Sequence, residues 1–296
     1  MFKYIIIFLF VLITSFAQAK VVHQERSLYR NILVEDNNDL RCLKFNVKSN
    51  KTQQSCFLKS QPEKLVFNYT KLLMASLLLN DNPKRILIVG LGGGTMSNTL
   101  AQLYPESQID NIEIDPAVIT VARDYFDFLE SDKIKTYTQD GRIFIKRALL
   151  KKQTYDWIIL DAFNGDYIPE HLMTEEFLQE AKALLSENGI LSSNTFSLSK
   201  LYAYESATYK AVFGDFYQVA NSANSNRIIV VSKKGFTNTT ISENVINDLD
   251  EKLSQYGVDI KLLYSNMVNT KNKQDWPEDT RILTDQFSPA NLLNVK

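Results

Sequence analysis

Histidine and cysteine each occur only twice in this 296-residue chain. With His23 and His171 as the sole imidazoles, and neither on a motif, a Ser-His-Asp hydrolase or a histidine-ligated metal enzyme is disfavoured. No metal is expected. The two cysteines, Cys42 and Cys56, do not form a Cys-x-x-Cys pair, which argues against catalytic or metal-binding thiols. A strong charge of either sign is also missing: the formal net charge is −1, and no run of Lys or Arg is long enough to suggest a polyanion. Nucleic acid is therefore not an expected partner. Internal repeats and low-complexity blocks are absent as well.

What is present allows one or two domains with a large core. Residues 1–19 have the form of an export signal: Lys3 as a minimal positive region, an apolar run from Tyr4 to Ile13, and Ala17-Gln18-Ala19 as a peptidase site. That run is short for a bilayer span, so no stable membrane span is expected after cleavage behind Ala19. An uncleaved anchor is the competing reading. The mature protein is expected to be periplasmic or secreted. Residues 20–66 read as a small β domain with strands Leu28 to Val34, Leu40 to Val47 and Gln54 to Leu58. A hairpin turning through Ser49 to Thr52 sets Cys42 and Cys56 roughly opposite each other, and export favours a disulfide between them.

The chain is organised around RILIVGLGGGTMSNTLAQLYPESQIDNIEID, residues 85–115. A continuous apolar run, Ile86 to Val89, suits a strand buried on both faces. It leads into Gly90, Gly92, Gly93 and Gly94, four of the chain's ten glycines within five positions. Such a turn lets backbone N–H groups approach a ligand, and the helix predicted over Met96 to Leu103 directs its positive end to the same place. A second strand, Ile109 to Ile114, carries Glu113 near its end. Asp115-Pro116 then reads as a helix cap followed by proline at the first helical position. A glycine turn followed about 20 residues later by an acid on the next strand is the nucleotide fingerprint, with the carboxylate accepting from ribose hydroxyls. The bland alternative is a glycine turn that serves packing alone.

Alternation continues on both sides. A helix over Lys64 to Leu79 feeds the first strand. Helices are predicted over Pro116 to Phe126, from Asp140 to about Lys151, over Thr174 to Leu185 and over Leu198 to Phe213. The strands among them are Ile134 to Tyr137, Trp157 to Leu160 and Ile190 to Ser193, and Phe216 to Ala220 with Arg227 to Val231 forms an antiparallel pair. This pattern gives an α/β doubly wound sheet over 67–235. Residues 236–296 offer one helix, Ile241 to Tyr256, and an irregular tail. Three acids fall at strand ends, where such sheets bind ligands: Glu113, Asp140 and Asp161. Asp140 has an ordinary use as a helix cap, and Glu113 as a solvated strand end. Asp161 directly follows Ile158-Ile159-Leu160, and a carboxylate leaving a buried strand is costly without partners or a task. The following loop, with Phe163, Asp166 and Tyr167 around Gly165, suits a cover over a site.

The series GLGGGT, IEIDP, QDGR and LDAFNGDYIP resembles the spermidine synthase (polyamine aminopropyltransferase) family, most closely its bacterial spermidine-synthase-like branch. SLYRNILV near the start, Asn68-Tyr69-Thr70, and ILTDQFSPANLL near the end are similar to further family segments. The resemblance implies a small N-terminal β domain joined to a Rossmann-like fold shared with S-adenosylmethionine methyltransferases. It implies that Gly90, Gly92 and Gly93 shape the cofactor loop, Glu113 binds ribose, and Asp140 binds the adenine amine. Asp161 would be the catalytic acid or base, with Tyr69, Asn164 and Asp166 on the substrate side. The chain departs from the family pattern in several places. Gly93 stands where the family has an aspartate for the aminopropyl ammonium, and Asn164 where it has a second acid. Arg30 and Thr70 replace glutamines, and no aromatic remains in Asn221 to Asn226. The implied function is polyamine-related: a transferase using decarboxylated S-adenosylmethionine, or S-adenosylmethionine itself, to alkylate a small amine. An S-adenosylmethionine-dependent methyltransferase and an exported non-catalytic protein that kept the fold are the alternatives, and a homodimer is an option.

Overall fold

The computed structural model describes residues 19–45, 53–163, 167–220, 225–236 and 240–289. The export signal, the Ser49 to Thr52 turn, Asn164 and Asp166 lie outside them, as do Asn221 to Asn224. In chain order the structure starts with β1 (Lys20–Arg26), β2 (Asn31–Asn37), β3 (Leu40–Phe45) and β4 (Gln53–Leu58). These four form an antiparallel sheet in sequence order. The first strand was not anticipated, because KVVHQER is half polar. It lies at the sheet's edge, where only part of the strand is covered. Cys42 pairs directly with Cys56 across β3 and β4, their Cα atoms 4.1 Å apart, and the two form a disulfide.

The second unit begins with α1 (Asn68–Leu73), continued by a 3-10 turn over Met74–Leu78. The helix expected from Lys64 therefore starts four residues later and tightens in its second half. Then follow β5 (Arg85–Val89), α2 (Thr95–Leu103), β6 (Gln108–Glu113), α3 (Pro116–Tyr125), β7 (Ile134–Thr138), α4 (Gly141–Leu150) and β8 (Tyr155–Leu160). Next come α5 (Glu175–Leu184), β9 (Leu185–Phe196), α6 (Tyr202–Phe213), β10 (Tyr217–Ala220) and β11 (Asn226–Ser232). The chain continues through α7 (Glu243–Ser254), α8 (Ile260–Ser265) and β12 (Met267–Asn269). The expected strand Ile190 to Ser193 is the middle of the longer β9, and the helix expected from Leu198 starts only at Tyr202. The tail read as irregular contributes a short helix and a strand.

Among the described residues the larger sheet has the order β12-β10-β11-β9-β8-β5-β6-β7. Its pairs from β7 to β9 are parallel, and those involving β10, β11 and β12 are antiparallel. The chain starts in the middle at β5, winds outward through β6 and β7, then crosses back to β8, so the switch point lies between β5 and β8. Alternation within β5 separates the two cores. Ile86 and Ile88 pack with Leu73, Leu77, Leu100 and Leu249 on one face, while Leu87 and Val89 pack with Ile145, Phe177 and Leu178 on the other. The N-terminal sheet docks through Ile32, Val34, Leu43 and Phe57 onto Val118, Val121 and Phe126 of the α3 segment. That contact places β4 and the β1–β2 turn over the carboxyl ends of β5 and β6.

Candidate active site

A cavity of about 770 Å³ opens at those strand ends, a size that suits a nucleoside with a second small molecule. Tyr69, Gly90, Gly92, Glu113, Asp140 and Asp161 all line it, so six of the residues singled out in the sequence meet in one place. Residues from the N-terminal sheet, Gln53 and Ser55 among them, form part of its wall.

The glycine turn is held by main chain and by Glu113. Gly90 takes φ +100°, and a Cβ there would lie 2.3 Å from the carbonyl oxygen of Asp161. Only glycine lets the ends of β5 and β8 close to this distance. The Leu91 N–H donates to Glu113 Oε2 at 3.2 Å, and the Asp115 N–H donates to Oε1 at 3.0 Å. Burial pushes the Glu113 carboxyl up, opposed by the Asp115 N–H, the Arg30 charge and the Leu91 N–H. Each oxygen still has a lone pair for a ligand hydroxyl. The Gly90 and Gly94 N–H groups donate to Ile112 O and Leu91 O, so fewer loop donors face the cavity than the glycine count suggested.

Gly93 belongs to the same turn but does not itself line the cavity. A Cβ at this position would meet Ser55 Oγ at 2.8 Å and Phe126 Cδ1 at 2.9 Å. The space where a longer side chain would begin is taken by the N-terminal sheet and the end of α3. In its place the Ser55 and Thr95 hydroxyls, 3.3 Å apart, stand beside the turn.

Asp140 serves as the cap it resembled: its Oδ1 accepts from the Ile143 N–H at 3.0 Å. Its Oδ2 lies 2.8 Å from His171 Nε2, a partner the sequence did not suggest. The His171 hydrogen bond is the main cause that holds the Asp140 carboxyl below the usual range, against the cost of burial. The contact spans 31 residues and a helix, so no local pattern announces it.

Asp161 follows β8, on the other side of β5 from Glu113. Its main-chain N–H donates to Val89 O at 2.8 Å, continuing the β5–β8 ladder one residue past the strand. Asn194 Nδ2 donates to Asp161 Oδ1 at 2.8 Å, and the Tyr69 hydroxyl donates to the same carboxylate. Burial dominates and pushes the carboxyl up to about 7, with Asn194 and Tyr69 pulling it back. The Tyr69 phenol is raised well above its ordinary value, by burial first and then by the Asp161 charge. Phe67 stacks on Tyr69, and Phe163 meets Phe196 edge-on, so aromatic faces surround this carboxylate. Arg30 ties the two sides together. Its guanidinium lies over the Phe45 ring, donates to Phe163 O at 3.3 Å and sits 3.7 Å from Asp115 Oδ2.

Known proteins place this arrangement. The chain is 47% identical over 281 residues to a polyamine aminopropyltransferase of Vibrio vulnificus, covering 94% of this chain and 93% of that protein. The crystal structure of a probable spermidine synthase from Corynebacterium glutamicum superposes with a TM-score of 0.65 at 22% identity, over 87% of this chain and 96% of that one, a likeness of fold. Human methyltransferase-like protein 13, solved in complex with SAH, matches 74% of this chain and 95% of its own at 25% identity and a TM-score of 0.52. The family model of the spermine/spermidine synthase domain matches residues 66–224. The chain belongs to the spermine/spermidine synthase family.

Proposed function

We propose that this protein transfers an aminopropyl group from decarboxylated S-adenosylmethionine to a small amine of the polyamine class. The observation that carries the reading is a single cavity lined by a main-chain-held acid, Glu113, after β6 and a half-buried acid of raised proton affinity, Asp161, after β8. Family membership and the Vibrio vulnificus relative support it. Glu113 and the Gly90–Gly92 turn would hold the nucleoside, with Asp140 and His171 beside its base. The donor supplies a carbon made electrophilic by its attachment to a sulfonium. Asp161 takes a proton from the acceptor's ammonium, and the freed nitrogen lone pair forms the new C–N bond. The C–S bond breaks with its electron pair left on sulfur, giving a neutral thioether. The aromatic faces of Phe67, Tyr69 and Phe163 suit the methylenes of an amine, and alignment within the cavity carries much of the rate.

A carboxyl near 7 is half ionised at neutral pH, and only the ionised form accepts a proton. Turnover per unit of amine should therefore rise with pH up to about 7 and level off above it. The experiment incubates the mature protein with decarboxylated S-adenosylmethionine and a panel of amines, measuring methylthioadenosine release across pH. A second arm supplies S-adenosylmethionine and measures S-adenosylhomocysteine. Product only in the second arm overturns aminopropyl transfer in favour of methyl transfer. One observation favours that second reading: the wall beside the glycine turn presents the neutral Ser55 and Thr95 hydroxyls and not a carboxylate. Failure of either nucleoside to bind would leave the non-catalytic reading.

We also propose export, with cleavage after Ala19. The Lys3, apolar-run and Ala17–Ala19 pattern supports it, as do a first strand beginning at Lys20 and a disulfide, a bond that persists in oxidising compartments. N-terminal sequencing from the native host tests this. A chain still starting at Met1 would overturn it.

A further inference from the structure

We infer that Asn226 is a positioning residue for the reaction, acting through Asn194 to orient Asp161 and hold it in its proton-accepting form. The inference rests on the role given to Asp161 above. Asn226 Nδ2 donates to Asn194 Oδ1 at 2.9 Å, and Asn194 Nδ2 donates to Asp161 Oδ1 at 2.8 Å. The register of the sheet builds this line. In the β9–β11 pair Asn226 lies opposite Phe196, two residues from Asn194, so the two amides share one face. In the β8–β9 pair Leu160 lies beside Ser193, so Asp161 follows next to Asn194. Asn194 is buried, and all three residues line the cavity.

A carboxamide has one accepting end and one donating end. With Asn226 donating, Asn194 must turn its oxygen toward β11 and its N–H toward Asp161. Reversing Asn194 alone would set two N–H groups face to face and point a carbonyl oxygen at a carboxylate. A protonated Asp161 could still accept this N–H at its carbonyl oxygen, but the bond to a neutral acceptor is weaker than the bond to a carboxylate. The chain of donors thus favours ionised Asp161 and opposes the effect of burial. Tyr69, on α1, donates to the same carboxylate, and Tyr29, Arg30, Glu113, Asp140 and His171 are the other charged or titratable groups on the cavity wall among the described residues.

The test is a double-mutant cycle read on Asp161 itself. Protein labelled with ¹³C at the aspartate carboxyls is titrated without substrates, the Asp161 signal being assigned by its absence in Asp161→Asn. Asn194→Leu should move the titration of Asp161 up by about one pH unit or more, the usual weight of a hydrogen bond to a charged group. Asn226→Leu should move it up by about half a unit in the native background and not at all in Asn194→Leu. The acid limb of turnover should shift by the same amounts. Asn226→Ala, read in the same way, replaces the leucine variant if that fails to fold. An unmoved titration in the Asn226 variants overturns the inference. So does an equal shift in both backgrounds, which would mean that Asn226 does not act through Asn194. If the wild type turns over no amine while the titrations shift as stated, the functional reading fails and the positioning role stands.

Discussion

Glu113 and Asp161 line one cavity from the strands on either side of β5, and they are held by different kinds of partner. Glu113 accepts from two main-chain N–H groups, Leu91 and Asp115, which belong to turns fixed by the sheet. Asp161 is held by two side chains, Asn194 and Tyr69. Main-chain donors cannot rotate away, so Glu113 is a fixed acceptor suited to binding. Side-chain donors can be repositioned, so the proton affinity of Asp161 is adjustable from neighbouring strands. On the proposed roles, binding and proton transfer fall to carboxylates with different degrees of mechanical freedom.

The sharpest way to break this comparison is Asp161→Asn. Turnover should fall by about 10²-fold or more, while affinity for the donor nucleoside stays within about twofold. Stopped-time assays with calorimetry on the same samples measure both. Equal losses of turnover and donor affinity would place Asp161 on the nucleoside and dissolve the division of labour.

That both acids stand at one cavity was legible in the sequence, for a physical reason. Gly90 and Glu113 lie within one β–turn–α–β unit, whose contacts are close in sequence and leave a pattern. Asp161 betrayed itself by leaving a buried apolar strand. Asn194, Asn226 and His171 carried no comparable signal, since each acts across strands or loops dozens of residues apart. An asparagine inside β9 looks the same whether it faces a site or a packed neighbour. Gly93 shows the opposite limit. Its motif position pointed into the site, and only the docking of the N-terminal sheet shows Ser55 standing there first. The edge strands β1 and β12 escaped notice because strands covered on one side only show weak patterning.

The cavity wall also depends on the N-terminal sheet, and a second prediction concerns the bond that staples it. Cys42 and Cys56 are separated by 14 residues, and the second directly follows Ser55 at the glycine turn. Replacing both by serine should lower the stability of this sheet by about 2–3 kcal/mol, as chain entropy predicts for a loop of that length. Urea unfolding with and without reductant measures it. Donor affinity should weaken with the sheet, and Asp161 should titrate unchanged. A change in both would show that the two acids are less independent than their hydrogen bonds indicate.

Glu113→Ala comes next in size. It should weaken nucleoside binding by about 1.5–3 kcal/mol, the worth of a charge-assisted hydrogen bond. Part of that loss would come from the turn itself, because the Leu91 and Asp115 N–H groups lose their acceptor. Calorimetry with methylthioadenosine reads it. An unchanged affinity would limit Glu113 to bracing the turn.

The smallest effect tests an intermediate case. Asp140 has one oxygen held by the main chain, through the Ile143 N–H, and the other by the side chain of His171. If the distinction drawn above holds, His171→Ala should leave the α4 cap intact while freeing one carboxylate oxygen. The imidazole is about half exposed, at 48%, so its loss should cost no more than about 1 kcal/mol of stability. The pH dependence carries the sign. His171 holds the Asp140 carboxyl below its ordinary value, so the bond stabilises the fold above the normal aspartate range and is lost as pH falls through the depressed folded value. The gap between wild type and variant should therefore be full at neutral pH and close in acid, with the variant beginning its acid unfolding at slightly higher pH. Thermal melts from pH 3 to pH 7 measure this. A gap that stays constant across that range would mean that His171 stabilises the loop by packing and not through Asp140, leaving Asp140 a purely main-chain-held acid like Glu113.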